Sequence, residues 1–87
     1  MSSQQFRDQG IAAAKARRTE DARKLLLQAV KLDPRDELAW LYLAGVMQDK
    51  KGRLLCLERV LELNPENALA IKAVQAIGLD PDVLVAA

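Results

Sequence analysis

Few side chains in this 87-residue chain are of the types that carry out chemistry. Histidine is absent, which excludes Ser-His-Asp triads, Cys-His nucleophiles and histidine-ligated metals. The single cysteine, Cys56, lies among leucines and excludes both an intramolecular disulfide and a CxxC pair. We therefore expect Cys56 to be a small buried hydrophobic residue with no chemical role.

Two acidic pairs, Asp36/Glu37 and Asp80/Asp82, are the remaining candidates for acid–base chemistry. Each pair falls in the predicted first turn of a helix, where capping and the helix dipole account for carboxylates. The sequence contains no glycine-rich phosphate-binding loop and no cluster of metal-ligating side chains. We therefore predict that the protein is not an enzyme, with no catalytic residue, no metal site and no cofactor.

The charges are unevenly distributed along the chain. Residues 1–31 hold seven bases against three acids, a net charge of +4, whereas residues 32–87 hold six bases against nine acids, a net charge of −3. The basic residues at positions 15–24 could contact nucleic acid: Lys15, Arg17, Arg18, Arg23 and Lys24. No aromatic residue is interleaved with them, and cations at a helix end have a dipole explanation. Nucleic-acid binding is therefore the least favoured function.

Neither a membrane span nor a secretion signal is visible in the sequence. The longest nearly continuous apolar run covers residues 38–47, well short of the roughly 20 residues that cross a bilayer. Residues 1–5 do not form a basic segment that leads into an apolar run. We expect a cytoplasmic protein with no membrane partner.

An internal repeat indicates how the chain is organised. The segment LDPRDELAW at residues 32–40 aligns with LNPENALAI at residues 63–71, a shift of 31 positions. The apolar pattern of residues 25–30 aligns in the same way with residues 56–61. Leucine (15 residues) and alanine (14 residues) dominate the composition, which favours helix over strand. A repeat of this length built from two helices is typical of a solenoid.

Cap and proline positions predict five helices, over about residues 3–17, 19–32, 34–48, 50–63 and 65–77. The predicted N-caps of the last four are Thr19, Asp33, Asp49 and Asn64. Pro34 and Pro65 then fall in helical first turns, where proline is tolerated. Residues 80–87 begin with another Asp-Pro pair, so we predict a tail or a short helix there.

Large and small residues recur at defined spacings in both repeats. The first repeat carries Phe6, Gly10, Ala13, Ala22, Leu26, Ala29 and Pro34, and the second keeps Trp40, Leu43, Ala44, Leu57 and Pro65. This set resembles the tetratricopeptide repeats, a family of 34-residue helix pairs. The second repeat lacks three residues and has Arg53 where the family has a small alanine. We therefore expect a tighter turn between its two helices.

The resemblance implies an all-α superhelix of two helix pairs plus a C-terminal capping helix. It would form one domain over residues 1–79, with repeats at about 3–34 and 35–65 and the capping helix at about 65–77. The expected core residues are Phe6, Leu26, Trp40, Leu43, Leu57, Val60 and Ile71.

Tetratricopeptide domains generally bind peptides or other proteins in a groove formed by the first helix of each pair. The resemblance assigns to that groove Arg7, Ile11, Leu38, Leu41, Gly45, Gln48, Leu69 and Lys72, with Gln4, Ala14 and Ala76 beside them. Family members that clamp carboxylate tails carry an asparagine one turn after a cation. Arg7 and Lys72 lack such an asparagine, so we predict no clamp of that kind.

The predicted third helix is apolar around its whole circumference from Leu38 to Met47. Such a helix is normally buried on every side, yet an open groove leaves Leu38 and Leu41 in water. We therefore expect a cover over this face. The alternatives are the chain's own residues 83–85, a segment of another protein, and a second copy of the chain. The leading function is protein binding by an adaptor or scaffold, and the alternative is homo-oligomeric assembly such as a homodimer.

Overall fold

The computed structural model describes residues 1–78 as five α-helices joined by short connections. The helices are α1 (Ser3–Lys15), α2 (Thr19–Leu32), α3 (Glu37–Val46), α4 (Lys50–Leu63) and α5 (Ala68–Gly78). Residues 1–78 contain no strand, which confirms the predicted all-α class. The tail or short helix predicted at residues 80–87 lies outside the described residues.

Each helix packs against the next one along the chain, and α1 also contacts α3. The connections are three or four residues long, so neighbouring helices run antiparallel. We call α1 with α2 the first pair and α3 with α4 the second pair. Helix α3 lies beside both helices of the first pair, α1 and α2. This arrangement places α3 among three other helices.

Helix α1 begins with a capping box and ends with a Schellman motif. Ser2 Oγ accepts a hydrogen bond from the Gln5 amide at 3.1 Å, and Gln5 Oε1 accepts one from the Ser2 amide at 2.8 Å. At the other end the amides of Arg17 and Arg18 bond back to the carbonyls of the last turn. Arg17 has a φ of 62°, a left-handed conformation that glycine usually occupies.

The predicted N-cap at Thr19 is wrong. Helix α2 begins at Thr19, and its N-cap is Arg18, whose side chain makes no capping hydrogen bond. The reason is that the Schellman motif uses Arg17 and Arg18 to reverse the chain, which leaves no residue between the motif and the helix. The predicted cap at Asp49 is confirmed, since its side chain accepts a hydrogen bond from the Gly52 amide at 3.0 Å.

The predicted N-caps at Asp33 and Asn64 are also wrong, by three residues. Asp33 begins a β-turn with Pro34 in its second position, and its carboxylate accepts from the Arg35 amide at 3.1 Å. The N-cap of α3 is Asp36, which accepts from the Ala39 amide at 3.1 Å. The connection between α4 and α5 has the same hydrogen bonds, made by Asn64, Glu66, Asn67 and Ala70, with Pro65 in the place of Pro34. Proline therefore sets the turn before the helix, not the first turn of the helix.

The expected tighter turn between α3 and α4 is not found. The α1–α2 and α3–α4 connections both contain three residues, 16–18 and 47–49. The three missing residues shorten the helix instead, because α3 has 10 residues where α1 has 13. Helix α3 ends at Val46, two residues before the predicted end, and Met47 has an extended backbone as its C-cap.

Most of the expected core is confirmed. Leu26, Leu43, Leu57 and Val60 are buried, and Phe6 and Trp40 are partly buried against them. The Trp40 indole also donates a hydrogen bond to the Pro34 carbonyl at 2.8 Å. Ile71 is not in the core; the buried residue of α5 is Ala70. Ile71 aligns with Trp40 at the shift of 31 residues. Helix α4 packs against α3, which carries Trp40. No described helix follows α5 to cover Ile71 in the same way.

Cys56 is buried in α4, with 3% of its surface exposed. Burial raises the pKa of the Cys56 thiol to about 11, and the nearby Asp49 carboxylate acts in the same direction. The thiol is therefore protonated at neutral pH, and the protonated form is a poor nucleophile. The expectation that Cys56 is a buried structural residue is confirmed.

The close approach of α1 and α2 gives a first prediction. A Cβ added at Gly10 would lie 2.7 Å from Leu26 Cγ, whereas a Cβ at Gly45 would meet nothing within 4 Å. Gly10→Ala should lower the free energy of unfolding by about 2 kcal/mol, because overpacking a core costs up to about 3 kcal/mol and alanine recovers about 1 kcal/mol of helix propensity. Gly45→Ala should raise it by up to about 1 kcal/mol. Urea unfolding of both variants checks this, and equal effects would contradict the packing.

A second prediction concerns Cys56. A thiol reagent at pH 8 should label the native protein much more slowly than the protein in guanidinium. The reason is that the pKa of the native Cys56 thiol is about 11, so very little of it is deprotonated at pH 8. A matched control moves the thiol by one residue, in the double variant Cys56→Ala/Leu55→Cys. Leu55 is 50% exposed, so this thiol should react as fast as a free one. Rapid labelling of the native wild type would show that α4 is wrongly oriented.

Candidate functional site

Helix α3 carries more apolar surface than its neighbours cover. Its buried residues are Ala39, Leu43, Ala44 and Val46. On the remaining face Leu38 is 43% exposed, and Leu41 and Tyr42 are only partly buried. This open face is the candidate functional site, because exposed leucines that adjoin a cavity are a feature of binding surfaces.

A groove runs along this face between three helices. Its volume is about 420 Å³, and its lining comprises Ala14 of α1, Leu38, Leu41, Tyr42, Gly45 and Val46 of α3, and Leu69 of α5. We call it the α1–α3–α5 groove. Leu69 is 65% exposed, the largest exposed fraction of any leucine among the described residues. None of these described lining residues is charged, so apolar contact is the main interaction that they offer.

Four of the eight residues that the sequence assigned to a groove line this one: Leu38, Leu41, Gly45 and Leu69. Ile11 instead packs against the hydrophobic core. The lining residues that sequence reasoning missed are Tyr42 and Val46. Positions 38, 41, 42, 45 and 46 lie on one face of a helix. Because α3 is apolar on all sides, the sequence does not show which of its faces is exposed.

Arg7 does not line the groove, and its side chain makes ion pairs within the fold. Its guanidinium lies 3.3 Å from the Asp36 carboxylate and 3.1 Å from that of Asp8. The hydrogen bond to Asp8, together with the charge of Asp36, raises the pKa of the Arg7 guanidinium above its ordinary value. Asp36 is the buried N-cap of α3, so Arg7 ties α1 to the start of α3. Its assignment to a partner-binding groove is not supported.

The other two assigned residues also lie off the groove. Gln48 follows the end of α3, because that helix is shorter than predicted and stops at Val46. Lys72 is exposed on α5 and lines none of the clefts described here. The predicted cations at the two ends of the groove are therefore absent from its lining.

A second cleft adjoins the groove at Leu41 and Gly45, which line both. It has a volume of about 330 Å³ and lies between α3, α4 and α5. Its other lining residues are Ala44, Arg53, Leu57, Ala73, Ala76 and Ile77. We call it the α3–α4–α5 cleft. Of the lining residues within positions 1–78, Arg53 is the one that carries a charge.

The basic residues at positions 15–24 are partly neutralised. Arg18 pairs with Asp21 at 2.7 Å, and Arg23 pairs with Glu20. Beside them an open hollow of about 610 Å³ is lined by α1 and α2, and its lining includes Arg18, Asp21 and Lys24. Both signs of charge line it, which weakens the case for a nucleic-acid surface.

The carboxylates near the groove have structural partners. Asp36 caps α3 and pairs with Arg7. Glu37 Oε2 accepts hydrogen bonds from the side-chain amides of Asn64 at 3.1 Å and Asn67 at 2.6 Å. No group of three metal-ligating side chains occurs in residues 1–78. In the same part of the chain, every helix is too short or too polar to cross a bilayer.

The contact between Arg7 and Asp36 gives a third prediction. Arg7→Met should lower the free energy of unfolding by about 1–3 kcal/mol, because the buried Asp36 carboxylate loses a charged partner. Arg35→Met is the control, since Arg35 is exposed and makes no ion pair with residues 1–78. It should change stability by less than about 0.5 kcal/mol. Unchanged stability of Arg7→Met with loss of partner binding would restore Arg7 to the binding surface.

Comparison with known proteins adds no assignment. No protein-family model matches the chain, and no curated protein resembles it at a significant level.

Proposed function

We propose that this protein is an interaction module, an adaptor or scaffold, that binds a segment of another protein in the α1–α3–α5 groove. The observation that carries the proposal is the pair Leu38 and Leu69, which are 43% and 65% exposed on either side of an apolar groove. Burial of apolar surface contributes about 25 cal/mol per Å², so these side chains favour any partner that covers them.

The shape of the groove supports a segment in preference to a small molecule. The groove is open to solvent, and its described lining residues offer no charged group that would orient a small ligand. A helix or an extended strand with apolar side chains at regular spacing matches such a surface. The resemblance to tetratricopeptide repeats supports the same proposal, since the first helices of that family form the binding groove and residues of α1, α3 and α5 line the groove here.

A second candidate function is assembly of several copies of this chain. The observation in its favour is α5, which has a single charged residue, Lys72, and whose Leu69 is 65% exposed. A second copy of the chain could bury such exposed apolar surface. Nucleic-acid binding through residues 15–24 is a weaker third candidate, because the ion pairs of Arg18 and Arg23 compete with phosphate.

A fourth prediction tests the groove with Leu38→Glu and Leu69→Glu. Both residues lie in the first turn of a helix, where a glutamate is favourable to folding. Each change should remove a partner captured by the wild type and reduce binding of a hydrophobic dye. Leu55→Glu on α4 is the matched control, because Leu55 is 50% exposed and lines neither the groove nor the cleft.

Sedimentation at two concentrations separates the two candidate functions. A monomer that loses its captured partner in Leu38→Glu but not in Leu55→Glu supports the interaction module. A dimer that becomes a monomer in Leu38→Glu supports assembly. Equal effects of all three glutamate variants would contradict any special role of this groove.

A further inference from the structure

The second helix pair departs from the first at two positions, and both lie at the α3–α4–α5 cleft. The first departure is the length of α3, which is three residues shorter than α1. The second is Arg53, which takes the place of Ala22 at the repeat shift of 31. Ala22 is completely buried between α1 and α2, whereas Arg53 is exposed.

The shorter helix accounts for the space. The aromatic and small residues Phe6 and Gly10 of α1 correspond to Trp40 and Ala44 of α3. On this alignment the buried Ala13 corresponds to Met47, which has already left the helix with an extended backbone. The last turn that packs on the second helix in the first pair is therefore missing from the second pair. The cleft lies at this end of α3, bounded by the small side chains of Ala73 and Ala76 of α5.

Arg53 is held at the edge of this space by a backbone contact. Its Nε donates a hydrogen bond to the Met47 carbonyl at 2.7 Å. Four other arginines pair with a carboxylate: Arg7, Arg18, Arg23 and Arg59. Within residues 1–78 no carboxylate lies at ion-pair distance from Arg53. The hydrogen bond to Met47 uses one of its five guanidinium N–H groups.

We propose that the α3–α4–α5 cleft binds a protein segment in which a carboxylate lies next to an aliphatic side chain. The aliphatic side chain enters the apolar cleft, and the carboxylate accepts hydrogen bonds from the Arg53 guanidinium, a geometry that arginine forms readily. This inference rests on the proposed function and adds its specificity: the partner is acidic as well as apolar, and Arg53 selects it. Among the described lining residues Arg53 carries the charge of the cleft, which favours an acidic occupant over a neutral or basic one.

The test uses three fluorescein-labelled peptides with the same leucines, which carry aspartate, asparagine or lysine beside each leucine. Fluorescence anisotropy with the intact 87-residue chain should give the tightest binding for the aspartate peptide. We expect an advantage of about fivefold over the asparagine peptide at low salt, the upper range for an exposed ion pair. Salt at 0.5 M should remove most of the advantage, because it screens exposed charges.

Arg53 variants identify the residue responsible. Arg53→Gln should bind the aspartate and asparagine peptides equally, and Arg53→Glu should prefer the lysine peptide. Arg35→Gln, which removes an exposed arginine that lines neither cleft, should retain the wild-type preference. Equal binding of the aspartate and asparagine peptides by the wild type would overturn the proposal, as would loss of the preference in Arg35→Gln.

The same measurements separate this inference from the proposed function. If peptides bind and Leu38→Glu weakens them while no Arg53 variant changes their order, the groove binds segments and the acidic selectivity is wrong. If no peptide binds to a monomer, both proposals fail.

Two other occupants of the cleft would be recognised in the same assay. Residues 79–87 also contain acids and aliphatic residues, and in that case Asp80→Asn/Asp82→Asn should tighten peptide binding to the intact chain. A second copy would show as a concentration-dependent dimer that Arg53→Glu dissociates. Either result would overturn the external partner in favour of that occupant.

Discussion

The apolar surface of α3 and the small number of helices available to cover it constrain the whole structure. Leu43 and Ala44 are buried because α1, α2 and α4 surround one side of α3. Leu38 remains 43% exposed on the other side, since residues 1–78 contain no further helix to cover it. The same helix thus supplies the centre of the core and the floor of the groove. The packing of the core and the extent of the exposed groove both depend on which residues of α3 face each of them.

The two four-residue connections hold this arrangement in place. In each, an Asx-Pro turn reverses the chain and a second Asx residue caps the next helix. A side chain from the preceding first helix then contacts the cap region: Arg7 reaches Asp36, and Glu37 reaches Asn67. Because the caps are tied sideways as well as along the chain, α1, α3 and α5 lie in a row. That row is what forms a groove from three separate helices.

The second helix pair repeats the first imperfectly, and the two pairs differ where the α3–α4–α5 cleft lies. In the first pair, α1 is three residues longer than α3, and the position equivalent to Arg53 is the buried Ala22. The second pair instead has an apolar cleft beside the charged Arg53. The cleft is continuous with the groove through Leu41 and Gly45, so a single segment could occupy both.

The sequence by itself determined the helical class, the five helices and most of the core, because apolar spacing and the 31-residue repeat report directly which faces are buried. It also indicated Leu38, Leu41, Gly45 and Leu69 as one surface. It could not distinguish Asp33 from Asp36 as a cap, since both are good capping residues and the choice depends on the proline turn between them. Only the tertiary structure decided that Arg7 belongs to the fold and that Ile71 lies outside the core. Those outcomes depend on the carboxylate that Arg7 contacts and on the helices that pack near Ile71. Such contacts join residues that are distant in the chain, so the spacing of neighbouring residues does not predict them.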